Sequence, residues 1–199
     1  MDRFISKRNQ VFLQDGVVIK KFPGRESAET EARILREYYD VGIAVPKVLE
    51  QRETELVLEY IPGETIPDFL ARMGPTPDDD LLWKAAAGLC AWFKCFYEAV
   101  DHTKSKEIRG DVNGRNFIIT GRGVISVDFE ERVIGRAEQD IGRLLAFICT
   151  YNFDEVYAKR QLARLFKQEV EKRLCLFMPE ILKQFRLELA AMKKRRRNI

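Results

Sequence analysis

Residues 108–130 read IRGDVNGRNFIITGRGVISVDFE. Asp111 is followed five residues later by Asn116, and a short apolar run, Phe117–Thr120, comes next. A turn bearing Gly121 and Gly123 leads into a second apolar run, and Asp128-Phe129-Glu130 closes the stretch. Two β-rich runs around a glycine turn predict a hairpin. Its return should carry Asp128 back towards Asn116, gathering two carboxylates and one amide at one end.

That gathering has a chemical reading. Carboxylate and amide oxygens suit a hard divalent cation such as Mg²⁺ and leave positions open for phosphate and water. Phosphoryl transfer from ATP needs such ligands, a carboxylate to orient or deprotonate the attacking hydroxyl, and a cation on the phosphates. The hairpin can supply the first two, so the cation has to come from elsewhere in the chain.

Upstream, VFLQDGVVIKKF (residues 11–22) shows two β-rich runs around Gln-Asp-Gly, a further hairpin signal. FISKRNQ offers another strand with a polar turn at Ser6-Lys7-Arg8-Asn9, and Pro23-Gly24 ends the sheet segment. SAETEARILREYYDVG (27–42) reads as a helix ended at Gly42. VPKVLE and ELVLEYI read as two more strands, closed by Pro62-Gly63. Beyond them the period changes. GPTPDDD leads with an Asp cap into a helix carrying Leu81, Leu82, Trp92, Phe93 and Phe96. Helical patterns follow the quoted stretch at roughly 138–150, 153–176 and 179–196, with Asn152 and Glu155 as a capping box and Pro179 in a first turn. The expected architecture is α+β and bilobal: a small antiparallel β lobe with one helix over 1–62, and a mostly helical lobe over 63–199.

These pieces, taken in order, resemble the protein-kinase-like superfamily. Asp111 to Asn116 is similar to its catalytic loop, and Asp128-Phe129-Glu130 to its metal loop. Gly110-Asp111 is similar to the atypical branches: aminoglycoside, choline and lipopolysaccharide-core kinases, RIO kinases and the small kinase of the KEOPS complex. Val17-Val18-Ile19-Lys20 resembles the strand whose lysine holds the phosphates. Lys20 is then the phosphate cation, and Val18, on the same face by the period of two, the roof of the adenine. Glu31, in line with Leu35 and Tyr38 on the inward face, is the partner of Lys20, whereas Glu29 aligns with Arg33 and Arg36 towards solvent. Leu58-Glu59-Tyr60-Ile61 resembles the hinge, with the Glu59 carbonyl and Ile61 amide on the adenine edge and Leu58 behind it. Asp140, opening DIGRLLAF, resembles the aspartate that braces the catalytic loop.

The resemblance covers about residues 10–150. It implies an ATP-dependent phosphotransferase using Mg²⁺ or Mn²⁺, with Asp111 as orienting base, Asn116 and Asp128 as metal ligands, and Lys20 held by Glu31. The short C-terminal part is most similar to the Ser/Thr kinases of the KEOPS and RIO type, so a protein hydroxyl is the favoured acceptor. A sugar, aminoglycoside or lipid acceptor is the alternative. The chain departs from the pattern in having no glycine-rich phosphate loop, Arg109 in place of a His, and Glu130 in place of a Gly. Those departures also fit a nucleotide-binding pseudokinase or a partner-dependent ATPase.

The remaining signals are compositional. Hydrophobic residues make up 46% of the chain and charged ones 33%, an ordinary globular balance. No apolar run has the ~20 residues of a membrane span, and the first residues lack a signal-peptide core, so a cytoplasmic protein is expected. Cys90, Cys95, Cys149 and Cys175 have no metal-ligand spacing and read as small buried apolar residues. His102, the single histidine, falls outside the pattern and reads as a surface residue. The five cations Lys193–Arg197 more than account for the net charge of +3. They read either as a solvated helix end or as a tether for RNA or an acidic partner.

Overall fold

The computed structural model describes residues 2–4, 9–74, 76–101, 106–150 and 156–197. Ser6–Arg8, His102 and the Asn152–Glu155 capping box lie outside the described residues. The chain forms two compact units: Met1–Pro62 with Ile125–Arg132, and Gly63–Val124 with Val133–Ile199.

In the first unit, β1 (Asp2–Phe4), β2 (Gln10–Gln14) and β3 (Val17–Lys21) are followed by α1 (Arg25–Asp40), β4 (Val48–Gln51) and β5 (Glu55–Glu59). The five strands form one antiparallel sheet in the order β1-β2-β3-β5-β4. The β2–β3 hairpin turns on Asp15-Gly16, both with positive φ, the backbone that the Asp-Gly pair announces. Helix α1 buries Ala28, Glu31, Ala32, Ile34, Leu35 and Tyr38. Five of these are a helical stripe of core residues; the sixth is a carboxylate, and it belongs to the site.

The second unit begins with β6 (Glu64–Thr65) and α2 (Ile66–Met73). The sequence pattern over these residues predicts no element. Thr65 accepts a hydrogen bond from the amide of Asp68, and Pro67 lies in the first turn, so both start signals were present. The helix is only eight residues long, too short for its period to stand out. Helix α3 (Asp79–Asp101) starts where Asp78 accepts the amides of Asp80 and Leu81, the cap that GPTPDDD promised.

Next come β7 (Glu107–Ile108), a 3₁₀ turn at Gly114–Asn116, β8 (Phe117–Thr120), β9 (Gly123–Ser126), β10 (Val133–Ile134) and α4 (Ala137–Thr150). Helices α5 (Val156–Arg173) and α6 (Met178–Arg197) complete the unit. Strands β6, β8 and β9 form one small sheet, and β7 pairs with β10. The core is aromatic: Trp92 stacks on Phe96 at 5.1 Å, Phe117 lies 5.4 Å from Trp92, and Phe93 lies between Phe117 and Phe166. Truncating one such buried Phe to Ala costs about 3–5 kcal/mol.

Helix α4 is covered by α6, whose backbone comes close to Gly142. A Cβ there would stand 2.7 Å from the Ile181 carbonyl oxygen and 2.8 Å from the Phe185 amide nitrogen. Backbone cannot turn aside as a side chain can. Gly142→Ala is therefore expected to destabilise the protein by about 1–3 kcal/mol despite alanine's better helix propensity, measured as a lower urea midpoint with an unchanged slope.

The cysteines need a correction. Cys90 is buried, but Cys149 is only partly so, and Cys95 and Cys175 are exposed. Burial pushes the Cys90 thiol up to about 11, so it is an inert apolar residue. No helix of the described residues is long and apolar enough to cross a membrane.

Candidate active site

Alternation along β3 sends Val18 and Lys20 to one face and Lys21 to the other. Lys21 pairs with Glu55 at the surface, 2.6 Å away. Lys20 is 4% exposed, and its Nζ donates to Glu31 Oε1 at 2.8 Å and to Oε2 at 2.6 Å. Glu31 is 1% exposed, held inward by the stripe of α1 that sequence spacing identified. Glu29 pairs with Arg25 on the exposed side of the helix.

Lys20 has a second partner, Asp128, which also accepts from Nζ. Burial alone would lower the ammonium pKa, but the charges of Glu31 and Asp128 outweigh it and hold the value above the ordinary lysine range. Burial pushes the Glu31 carboxyl up, with Lys20 pulling it back. Lys20 is thus a permanent cation clamped between two carboxylates, its position fixed from both sides. Asp128 sits at φ 67°, a left-handed backbone that aspartate tolerates better than most residues.

The hinge candidates lie in the same unit. Val18 faces Leu58 in the β3–β5 register, with Lys20 opposite Leu56. Leu58 and Ile61 are buried, and the exposed Glu59 donates its amide to the Lys47 carbonyl at 2.9 Å.

The second unit gathers the other two candidates. Asn116 Nδ2 donates to Asp111 Oδ2 at 3.0 Å and to the Asp111 carbonyl at 3.3 Å. Those bonds place the amide nitrogen on Asp111. Asp111 is exposed, and its Oδ1 accepts the Asn113 amide at 3.2 Å, closing a turn within the loop. Gly110 precedes it with φ 77°, and a Cβ there would meet Val133 at 2.5 Å, so only glycine can present Asp111 this way.

Asp140 anchors the loop from α4. It is fully buried; Oδ2 accepts the Arg109 amide at 2.7 Å and the Tyr97 hydroxyl at 3.1 Å, and Oδ1 accepts the Gly110 amide at 3.0 Å. Arg109 is itself buried, and it is its backbone that the brace engages. Burial pushes the Asp140 carboxyl up to about 6, against the pull of these donors and of the Arg109 charge. The folded value lies above that of the unfolded chain, so the native state holds the extra proton between about pH 4 and 6. The contribution of Asp140 to stability therefore falls as pH rises through that window, by roughly 3 kcal/mol in all. Urea midpoints between pH 4 and 7 should show this component in the wild type and lack it in Asp140→Asn, which should also be less stable throughout.

Among the described residues, no three His, Cys, Asp or Glu side chains form a metal cluster. The pair singled out by the sequence, Asn116 and Asp128, offers amide and carboxylate oxygens without imidazole or thiolate. Each of these is a donor type that suits a hard cation.

No family model and no curated protein matches the chain. Solved structures do match. One of them, the gentamicin–APH(2″)-IIa complex, matches with a TM-score of 0.60 at 13% identity, covering 89% of this chain and 77% of that one. At that identity the likeness is one of fold: the chain shares a protein-kinase-like α+β fold with that structure.

Proposed function

We propose that the chain is an ATP-dependent phosphotransferase that moves the γ-phosphate to a hydroxyl group, most specifically as an atypical Ser/Thr protein kinase. The observation that carries this reading is the buried Lys20 clamped by Glu31 and Asp128. A buried cation with two carboxylate partners costs desolvation that a hydrophobic core would avoid, and a phosphate-binding role accounts for it. Residues 1–62 would then hold the nucleotide, and residues 63–199 would carry the catalytic loop. Val18 would roof the adenine, the Glu59 carbonyl and Ile61 amide would bond its edge, and Leu58 would back it.

Asp111 would accept the proton of the attacking hydroxyl or orient it. Its bond from Asn116 supports that role by fixing the carboxylate. Asn116 and Asp128 would hold Mg²⁺ or Mn²⁺, whose charge would offset that of the phosphates. Lys20 would hold the α- and β-phosphates in line for the transfer. The brace from Asp140 would keep the backbone before Asp111 in place.

A protein acceptor is supported by the compactness of the second unit, whose last two helices, α5 and α6, are spent on covering α3 and α4. A small-molecule acceptor is the second reading, favoured by the likeness to a structure described as a gentamicin complex. The basic tail, with Lys193 and Lys194 exposed and Arg195 on Glu188 at 2.5 Å, supports an anionic partner such as RNA or an acidic protein.

Calorimetric titration with ATP tests the nucleotide half of this reading. Mg²⁺ should tighten ATP binding to the wild type by tenfold or more, the effect expected of removing a charged ligand being about 1.5–3 kcal/mol. Asp128→Ala should abolish that metal dependence. Equal affinity with and without metal in the wild type would reject the proposal.

A further inference from the structure

The segment that carries Asp128 is fastened to the first unit at several points besides Lys20. The Ser126 amide donates to the Ala44 carbonyl at 3.1 Å, just past the end of α1. Phe129 is 1% exposed, with its ring edge-on to Tyr38 of α1 at 5.1 Å. Asn9, itself buried, donates from Nδ2 to Glu130 Oε1 at 3.2 Å. Arg132, the last residue of the segment, pairs through Nη2 with Glu37 of α1 and lies over the other ring, Tyr38, at 5.3 Å. Glu37 and Tyr38 are one residue apart on α1, and Glu31, the partner of Lys20, stands on the same helix.

Each attachment is modest alone. Glu37 and Arg132 are both partly exposed, at 49% and 30% of the side chain, so the ion pair by itself is worth little. The arrangement matters more. The Arg132 guanidinium lies over the Tyr38 ring, and Phe129 makes a T-shaped contact with the same ring. One residue of α1 is thereby held from two directions by one short segment.

We infer that Arg132 is a positioning residue for the metal loop: joined to Glu37 and laid over Tyr38, it latches residues 128–132 onto α1 and so keeps Asp128 on Lys20. The latch stands on contacts within one unit; what it serves rests on the functional reading above. Glu130 in place of a glycine fits this picture, because its side chain gains a bond to Asn9 while a glycine would leave the segment freer to turn. The loop is then held in place by the chain's own side chains, with no modification required to set it.

Amide hydrogen exchange and metal-dependent ATP binding, measured on the full chain, test the latch and its purpose separately. Arg132→Gln should speed exchange at the amides of Phe129–Arg132 about fivefold or more, with the global urea midpoint nearly unchanged. It should also raise the Mg²⁺ concentration for half-maximal ATP binding by a similar factor, leaving the turnover rate at saturating Mg²⁺ unaltered. Arg132→Lys, which keeps a cation for Glu37 and for the Tyr38 ring, should restore much of both quantities. Unchanged exchange in Arg132→Gln overturns the latch, whether or not the protein binds metal-nucleotide. Faster exchange with an unchanged Mg²⁺ requirement overturns the positioning role. If the wild type shows no metal-dependent binding, the functional reading fails instead, and exchange alone decides the latch.

Discussion

Asp111→Asn is expected to lower phosphate transfer by about 10²–10⁴-fold, the range that a positioned acid–base group contributes, while ATP and metal binding stay within about twofold. The substitution keeps the size and shape of the side chain, and Asp111 is exposed, so folding is not at stake. One oxygen survives to accept from Asn116 or from the Asn113 amide, the two partners it has now. What disappears is the second oxygen and the charge that would take up the hydroxyl proton. A large fall in the transfer rate with binding preserved is the signature of a group needed only in the reaction. Stopped-time assays at saturating ATP, paired with calorimetry, separate the two. A non-catalytic module would keep any partner function in this variant, because nothing in its fold depends on the charge of Asp111.

Lys20→Met should have the other large effect, on both binding and stability. Removing the ammonium leaves Glu31 buried without its cation and Asp128 without its anchor. Breaking a buried ion pair from one side costs about 3–5 kcal/mol, the lower end applying here because Glu31, already pushed up by burial, can take a proton. ATP binding should fall by at least about tenfold with the loss of a charged hydrogen-bonding partner. The double variant Lys20→Met with Glu31→Leu separates the causes. It should regain most of the stability, since no buried charge is left unpaired, and none of the ATP affinity. Recovery of both would mean that Lys20 serves the fold alone.

The residues behind these two predictions were legible in the sequence to different degrees. The face of Lys20 followed from the period of two along Val17–Lys21, and the inward position of Glu31 followed from its spacing to Leu35 and Tyr38. Asp140 was legible as a helix-start aspartate, but its two amide partners depended on how the Arg109–Gly110 backbone turns. The bond from Lys20 to Asp128 spans 108 residues and was not legible as a contact. It arises because Ile125–Arg132 joins the first unit, although the chain on either side of it belongs to the second. The role of Arg132 was hidden for the same reason: nothing local marks an arginine that meets Glu37 from 95 residues away.

The elements missed outright were the shortest. Helix α2 has a capping threonine and a first-turn proline, but only eight residues over which a period could show. The two-residue strands β6, β7 and β10 owe their pairing to tertiary neighbours and carry no alternation of their own. The cysteines failed in a different way. Lack of metal spacing does not imply burial: Cys95 lies on an exposed face of α3 and Cys175 is exposed just beyond the end of α5. Residue type gives a prior for burial, and the helix face then decides.

The most direct measurement is transfer of labelled γ-phosphate from ATP, with Mg²⁺ or Mn²⁺, by the wild type, Asp111→Asn and Asp128→Ala, offering a Ser/Thr-rich protein and an aminoglycoside as acceptors. The account predicts metal-dependent labelling of the protein itself or of one acceptor by the wild type, and none above background by either variant. Equal labelling by all three, or no labelling by a wild type shown to bind metal-ATP, would contradict it.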